Sequence, residues 1–164
     1  MVTGAEPIVA GAEERLQRLG LPLPPAPTPF GAYVEAVQTG NLLFISGTLP
    51  SEGHTPRYLG AVGGEVGIED AKRAAQLAAL NAIVIARQHL GSLDKVTRVV
   101  KLGVFIVTAP SFREHPQVAD AASEVLAAVF GKDKLSTRQV VGVASLPLGM
   151  TIELEVVFET TGAA

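Results

Sequence analysis

Apolar and polar residues alternate most regularly near the end of the chain. From Met150 to Glu159 every second residue is apolar, and Glu153 and Glu155 occupy positions between them. A period of two predicts a β-strand with one face against a core. A Val-rich run that begins with Arg138 predicts a second strand just before it, and Pro147–Gly149 breaks the chain between the two strands. If these strands are antiparallel neighbours, Arg138 and a glutamate lie close together beside an apolar wall.

The remaining pattern predicts two long helices and three further strands. Small apolar residues recur every three or four positions over Ile68–Leu90, and a similar stripe follows Pro116, so each segment is expected to form a helix that packs on a sheet. Strands are predicted for Tyr33–Gln38 and Leu42–Ser46, which flank a Thr-Gly-Asn turn, and for the β-branched run Val96–Thr108, which is expected to be central. The order strand, strand, helix, strand, helix, strand, strand predicts an α+β fold: a single mixed β-sheet with two helices packed on one face.

An N-terminal arm is predicted to precede this domain. Ala12–Leu19 has the pattern of a short amphipathic helix that ends at Gly20. Five of the nine residues in Leu21–Pro29 are proline, which predicts an extended connector. We therefore divide the chain into an arm over residues 1–28 and a domain over residues 29–164. The arm is expected to pack as a strap on the surface of the domain and to be dispensable for folding of the core.

The composition narrows the class of protein. Of the 164 residues, 48% are hydrophobic and 18% are charged, and Leu42–Ile45 is a continuous apolar run expected of a strand that is covered on both faces. The helix-free face of the sheet is therefore expected to be covered, most simply by self-association. The net charge of −3 argues against a protein that binds many nucleic-acid phosphates. The chain has no cysteine, and no leader or membrane-spanning run is evident, so a cytoplasmic protein is expected.

Several motifs carry little functional signal. The glycine-rich segment Gly60–Gly67 lacks the Lys-Ser/Thr pair of a phosphate-binding loop, so we interpret it as a flexible connection. No two of the histidines His54, His89 and His115 have the spacing of metal ligands, and no histidine is close in sequence to Ser145. We therefore expect neither a metal site nor a serine-hydrolase site.

Arg138 and Glu153 are the strongest candidates for chemistry. A guanidinium is always charged and offers a planar fork of donors that fits a carboxylate, although an arginine at the head of a strand can equally form a structural salt bridge. A glutamate can orient water and accept its proton, whereas a strand glutamate that is simply exposed has no such role. Glu155 lies two residues beyond Glu153 on the same face and is a competing candidate.

Two stretches resemble the signatures of a known family. The pattern R-x-V-V-x-V-A-S-L-P-x-G-x-x-I-E-L-E, which begins at Arg138, resembles the closing signature of the RidA family, also called YjgF/YER057c/UK114. The stretch Y-V-E-A-V-Q-T-G-N-L-L-F-I-S-G-T-L-P, which begins at Tyr33, resembles its opening hairpin. The resemblance covers roughly Pro29–Glu159, and its specificity lies in the combination of the two stretches at this separation. It implies a chorismate-mutase-like fold and a homotrimer with ligand clefts between subunits.

The resemblance also implies a role for individual residues. Arg138 aligns with the arginine that binds the substrate carboxylate, helped by the main-chain N–H of the residue that is Val140 here and commonly cysteine in the family. Glu153 aligns with the glutamate that holds the attacking water. Tyr33 and Ser46 align with hydroxyl-bearing residues of the cleft, although the proline that usually precedes the tyrosine is Ala32 in this chain.

An enamine/imine deaminase is the function that this resemblance implies. It would hydrolyse reactive 2-imino acids of the 2-aminoacrylate type to 2-oxo acids and ammonia, with no cofactor. The alternative is a non-catalytic or regulatory member that binds small carboxylates on the same scaffold, because a fold does not determine a function. An activity as an endoribonuclease and translation inhibitor, also attributed to the family, is disfavoured by the acidic net charge.

Overall fold

The computed structural model describes residues 10–162. It contains the helices α1 (Ala12–Leu19), α2 (Ile68–Leu90) and α3 (His115–Phe130). The strands are β1 (Ala36–Thr39), β2 (Leu42–Thr48), β3 (Ser51–Glu52), β4 (Thr55–Pro56), β5 (Val96–Val107), β6 (Thr137–Val143) and β7 (Ile152–Thr160). The predicted helices are confirmed. Gly20 and Gly91 end α1 and α2 with φ of 60° and 79°, a region in which residues with a Cβ are strained.

The predicted α+β fold with one mixed main sheet is confirmed. The main sheet has five strands in the order β1-β2-β7-β5-β6, and β3 and β4 form a separate two-stranded hairpin. Only β5 and β6 run parallel among the neighbouring pairs of the main sheet, as expected when α3 provides the crossover between them. β7 packs against α2, and the ring of Phe158 also contacts Phe130 of α3. Alternate residues of β7 are fully buried, namely Ile152, Leu154, Val156 and Phe158. The alanine stripe of α2 lets this helix lie close to the sheet.

The expectation that the last two strands are antiparallel neighbours is wrong. β5 lies between β6 and β7 and pairs with both of them. Because α3 carries the chain from β5 to β6 in a crossover connection, β6 is added to the outer edge of β5. The following segment, which includes Pro147–Gly149, then returns the chain to the other edge of β5. Arg138 and Glu153 therefore do not meet through strand pairing.

The first hairpin starts later than predicted. β1 begins at Ala36, so Tyr33 lies in the bends that precede the strand and is not a strand residue. The backbone N–H of Tyr33 donates a hydrogen bond of 3.1 Å to the carbonyl of Gly31, and this local turn keeps the segment from joining the ladder. Tyr33 is thereby placed at the end of the sheet rather than along its edge.

The glycine-rich segment Gly60–Gly67 is a loop with its own internal hydrogen bonds. Val62 is fully buried and forms bridges with Val66 and Thr108. The carboxylate of Glu65 accepts the N–H of Ala61 at 2.9 Å, which lowers the pKa of Glu65. The carboxylate of Glu65 therefore occupies the N–H of Ala61, a backbone donor that a phosphate bound in this loop would need.

The arm helix packs against the rest of the domain. Ala12 and Leu16 of α1 are buried and belong to the main hydrophobic core. The carboxylate of Glu13 accepts the N–H of Leu93 at 3.0 Å and forms an ion pair with Arg87. The division at residue 28 stays a prediction. The buried contacts of α1 lead us to expect that removal of the arm lowers the stability of the domain, contrary to the dispensable arm expected from the sequence.

The helix-free face of the sheet carries exposed apolar side chains. Within Leu42–Ile45, Leu43 and Ile45 are buried against the helices, whereas Phe44 points to the opposite face and is 42% exposed. Val37 of β1 is the strand-pairing partner of Phe44 and is 53% exposed. Within residues 10–162, no segment of the chain covers this pair, and no helix has the length and apolarity needed to cross a bilayer.

Candidate active site

Glu153 lies in a cleft on the helix-free face of the sheet, at one end of β7. The pairing of β2 with β7 is irregular between Ile45 and Thr48, at the Ser46-Gly47 step. A Cβ at Gly47 would lie 2.0 Å from Oε1 of Glu153, so the carboxyl group rests directly against the backbone of β2. The cleft has a volume of about 430 Å³ and is lined by Phe30, Gly31, Tyr33, Ser46, Gly47, Leu49, Pro147 and Glu153.

The environment of Glu153 favours proton transfer. Its carboxyl group accepts no hydrogen bond from any side chain or loop N–H of residues 10–162, and burial raises its pKa above the usual glutamate value. Glu155, the competing candidate, instead forms an ion pair of 2.8 Å with Nζ of Lys101. A desolvated carboxyl group in a cleft is suited to act as a general base, whereas an exposed, paired carboxylate is not. The structure therefore favours Glu153 over Glu155.

Tyr33 and Ser46 line the same cleft as Glu153. The hydroxyl of Ser46 donates a hydrogen bond of 2.6 Å to the carbonyl of Val34. The hydroxyl of Tyr33 accepts the backbone N–H of Phe30 at 3.1 Å, which leaves its own proton available to a ligand. The structure thus brings three of the predicted site residues together.

Arg138 projects from the other face of the sheet, towards α3. It pairs in register with the buried Leu102, and its Nη1 donates to Oδ1 of Asp120 at 2.7 Å and to Oγ of Ser123 at 3.0 Å. The structural salt bridge considered from the sequence is therefore present. The cleft beside it has a volume of about 440 Å³ and is lined by Asp120, Ser123, Glu124, Ala127, Lys132, Leu135, Ser136 and Arg138.

The ion pair leaves part of the guanidinium group available. Among residues 10–162, no group accepts a hydrogen bond from Nε or Nη2 of Arg138. These two nitrogens form one edge of the planar fork, which fits the two oxygens of a carboxylate. The side chain of Arg138 is 26% exposed, so a ligand can reach this edge from solvent.

Val140 follows Arg138 on the same side of β6 and is half-buried against the core. β6 is an outer strand, and within the described residues it pairs only with β5. A row of backbone N–H groups along its free edge is therefore open to a ligand or a second chain. The role of the Val140 amide stays a prediction.

Arg138 and Glu153 of one chain cannot hold the same small ligand. Glu153 is opposite Phe105 of β5, which is in turn opposite Val141 of β6, three residues beyond Arg138. Three residues along a strand and two strands across a sheet place the two Cα atoms roughly 14 Å apart. Their side chains also point to opposite faces of the sheet. The predicted site residues therefore lie in two separate clefts, which we call the Arg138 cleft and the Glu153 cleft.

The sequence did not reveal the residues that complete these two clefts. Asp120 and Ser123 are three residues apart on α3, which is the spacing of neighbours on a helix surface, but nothing in the sequence links them to Arg138. Gly47 and Phe30 lie close to Glu153 only in the folded chain. Gly47 directly follows the predicted strand Leu42–Ser46, and a glycine at such a position can mark a close approach of another group to the backbone.

Comparisons with known proteins agree with the resemblance seen in the sequence. Residues 13–159 match the family model described as "YjgF/chorismate mutase-like, putative endoribonuclease". The chain is 39% identical over 145 residues to Protein TCP17 of Trypanosoma cruzi, which covers 88% of this chain and 91% of that protein. It is 33% identical over 132 residues to a 2-iminobutanoate/2-iminopropanoate deaminase of Dermatophagoides farinae, which covers 80% of this chain and 88% of that protein.

A solved structure has the same fold. The crystal structure of protein Atu1372 from Agrobacterium tumefaciens superposes with a TM-score of 0.83 at 38% identity, covering 91% of this chain and 92% of that one. The family match begins within α1, so it includes most of the arm that we separated from the domain. The matched length, the identities and the shared fold lead to one conclusion: the chain belongs to the RidA family, the YjgF/chorismate-mutase-like proteins.

Proposed function

We propose that this protein is an imine deaminase whose active site combines the Arg138 cleft of one subunit with the Glu153 cleft of another. The observation that carries the proposal is the division of the site. The Glu153 cleft holds a desolvated carboxyl group and two hydroxyls but no cation among its lining residues, whereas the Arg138 cleft holds the cation. A second copy of the chain is the simplest means of completing both clefts.

Self-association is supported by the surface of the sheet. Phe44 and Val37 are exposed beside each other on the helix-free face, which borders the Glu153 cleft. Burial of apolar side chains stabilises an oligomer by about 25 cal/mol per Å² removed from water. We propose a homotrimer, as the family resemblance implies, with the free edge of β6 close to the interface.

In the proposed reaction, Arg138 binds the carboxylate of a 2-imino acid. The Nε–Nη2 edge pairs with both carboxylate oxygens while Asp120 and Ser123 keep Nη1 in place. An enamine such as 2-aminoacrylate first takes up a proton on its methylene carbon and loses one from its nitrogen, which gives the imine. The substrate is then held by its carboxylate with C2 directed towards the Glu153 cleft of the neighbouring subunit.

Glu153 orients a water molecule and accepts its proton as the water oxygen attacks C2. The C=N bond becomes a single bond, and the nitrogen takes up a proton, which gives a tetrahedral carbinolamine. A second proton reaches the nitrogen, the C–N bond breaks, and ammonia leaves as the hydroxyl loses its proton. The products are a 2-oxo acid and ammonia. Hydrolysis of such imines is already fast in water, so the positioning of water and substrate supplies a large part of the acceleration.

The name of the mite relative supports this proposal, since that protein is called a 2-iminobutanoate/2-iminopropanoate deaminase. A member that binds carboxylates without turnover would use Arg138 in the same way, and the Arg138–Asp120 ion pair is compatible with that alternative. Turnover separates the two functions, whereas binding does not.

The test is ammonia release from 2-aminoacrylate generated in situ. We expect turnover by the wild-type protein and a loss of more than a hundredfold in kcat/KM for Arg138→Ala, because the substrate carboxylate would enter the cleft unpaired. Arg18→Ala is the matched control, since Arg18 forms an exposed ion pair with Glu14 on α1, outside both clefts. Unchanged turnover in folded Arg138→Ala protein would refute the proposed function.

A further inference from the structure

We infer that Phe30 determines which substrate side chains the Glu153 cleft accepts, and that the proline-rich connector and the β3–β4 hairpin hold its ring in place. The inference rests on the proposed function. It gives a role to two segments that the catalytic residues leave unexplained, namely the connector Leu21–Pro29 and the hairpin that contains His54.

The ring of Phe30 lies at the junction of two adjoining cavities. One is the Glu153 cleft, and the other is an inner cavity that extends beneath the connector to Pro27 and to Ile85 of α2. The two cavities share the lining residues Phe30, Tyr33, Ser46, Gly47 and Leu49. Phe30 is the one wholly apolar aromatic side chain among these shared residues, so a substrate group that extends beyond the reacting carbon can pack against it.

Contacts from two other segments hold Phe30 in this position. Its backbone N–H donates to the hydroxyl of Tyr33 at 3.1 Å. Its ring packs edge-to-face against the imidazole of His54, with the ring centroids 5.5 Å apart and the planes at 83°. Nε2 of His54 is in turn hydrogen-bonded to Oγ1 of Thr28 in the connector. The connector and the hairpin are thus joined at His54, and Phe30 is held between this contact and Tyr33.

The walls around Phe30 favour an apolar substrate side chain. Leu49 and Pro147 line the same cleft, and the charged side chain among its lining residues is Glu153. An acidic side chain would be repelled by the carboxylate of Glu153, and the cation of the proposed site, Arg138 of a neighbouring subunit, is already paired with the substrate carboxylate. An apolar side chain can instead pack against Phe30, and each methylene group in such a pocket changes kcat/KM by roughly ten- to two-hundredfold.

The test compares substrates of different side chains on matched variants. An L-amino-acid oxidase supplies imino acids from leucine, phenylalanine and glutamate, and 2-aminoacrylate serves as the small reference. For the wild-type protein we expect kcat/KM to be at least tenfold higher for the leucine-derived than for the glutamate-derived imino acid. Phe30→Ala adds the space of the removed ring to the inner cavity, which by itself has a volume of about 20 Å³, so the ratio of kcat/KM for the phenylalanine-derived imino acid to that for 2-aminoacrylate should rise by roughly tenfold.

Two further variants keep the inference testable. Phe30→Leu preserves apolar packing if Phe30→Ala fails to fold, and it should shift the same ratio in the same direction by a smaller factor. His54→Ala removes the edge-to-face contact and should also shift this ratio, by about threefold. Leu19→Ala is the control, because Leu19 is an exposed apolar residue of α1 that lines neither cavity.

The outcomes separate this inference from the proposed function. Suppose that the ratios of kcat/KM between substrates stay within twofold of wild type in both Phe30 variants, while Arg138→Ala abolishes turnover. The inference is then wrong and the proposed function stands. If Arg138→Ala keeps full turnover of 2-aminoacrylate, the proposed function itself fails. A change of ratio in the Phe30 variants that is absent from His54→Ala would overturn the part assigned to the hairpin.

Discussion

The two clefts differ in how their charged groups are satisfied by the chain itself. Arg138 already has an anionic partner in Asp120 and a hydroxyl partner in Ser123. Glu153 is half-buried and has no such partner among residues 10–162, and burial raises its pKa. The Arg138 cleft therefore contains an ion pair whose guanidinium group keeps one free donor edge. In the Glu153 cleft, desolvation destabilises the carboxylate and so makes it a stronger base. Within the part of the chain that the structure describes, neither cleft by itself has both a cation that could bind a carboxylate and a desolvated carboxyl group that could activate water.

Mixing two inactive variants tests this division most strongly. Arg138→Ala and Glu153→Gln are each expected to lose more than a hundredfold in turnover. If each site takes Arg138 from one chain and Glu153 from another, random mixing in equal amounts makes about a quarter of the sites intact. We therefore expect co-expressed or co-refolded mixtures to recover about a quarter of wild-type turnover. Mixtures that stay as inactive as the separate variants would place both residues of each site in one chain.

Arg138→Lys tests whether the free edge of the guanidinium binds a carboxylate. Lysine keeps the charge but cannot pair with both carboxylate oxygens in parallel, so one hydrogen bond to a charged group is lost, at roughly 1.5–3 kcal/mol. We expect a loss of roughly ten- to a hundredfold in kcat/KM, measured beside a thermal melt. If Arg138 serves only the ion pair with Asp120, lysine should largely replace it and turnover should not change.

The pH dependence of turnover and stability tests the desolvation of Glu153. Turnover requires the carboxylate of Glu153, so kcat/KM should fall on acidification through a pKa above the usual glutamate range. The control Glu155→Gln should leave this acidic part of the pH profile unchanged. Because the folded-state pKa of Glu153 is raised, its contribution to stability is present at low pH and is lost as the pH rises through that pKa.

Glu153→Gln should therefore raise the melting temperature at neutral pH, and this gain should disappear at low pH. Thermal melts of both proteins across the pH range measure the effect. An equal melting temperature at neutral pH, or an acid limb in the usual glutamate range, would show that Glu153 is not desolvated in the assembled protein.

Asp120→Ala gives the smallest expected effect on turnover. Asp120 is 56% exposed, and an exposed ion pair contributes at most about 1 kcal/mol, so a loss of orientation at Arg138 should lower kcat/KM by about fivefold at most. Asp120→Asn keeps an acceptor oxygen for Nη1 and should retain more activity than Asp120→Ala. A gain in affinity for substrate in both variants would instead show that Asp120 competes with the substrate carboxylate.

Local patterns in the sequence were sufficient to predict the three helices and the five strands of the main sheet, but not the β3–β4 hairpin or the start of β1. The bounds Ala12–Leu19 and Ile68–Leu90 follow from apolar periodicity and from the glycines that end each helix, because capping and burial of one face are local properties. The alternation after Met150 likewise predicted which side of β7 is buried. Arg138 was a candidate from its position at the head of a strand, whereas the resemblance was needed to prefer Glu153 to Glu155.

Only the tertiary structure decided how these residues are arranged. Strand pairing depends on contacts that are distant in sequence, so no local pattern showed that β5 separates β6 from β7. The same applies to the backbone of Gly47 against Glu153, which desolvates one glutamate while Lys101 pairs with the other. It applies also to Asp120, which a helix turn places beside Arg138. The sequence determined which groups are present, and the folded sheet determined that cation and base face opposite sides, because alternate residues of a strand point to opposite faces.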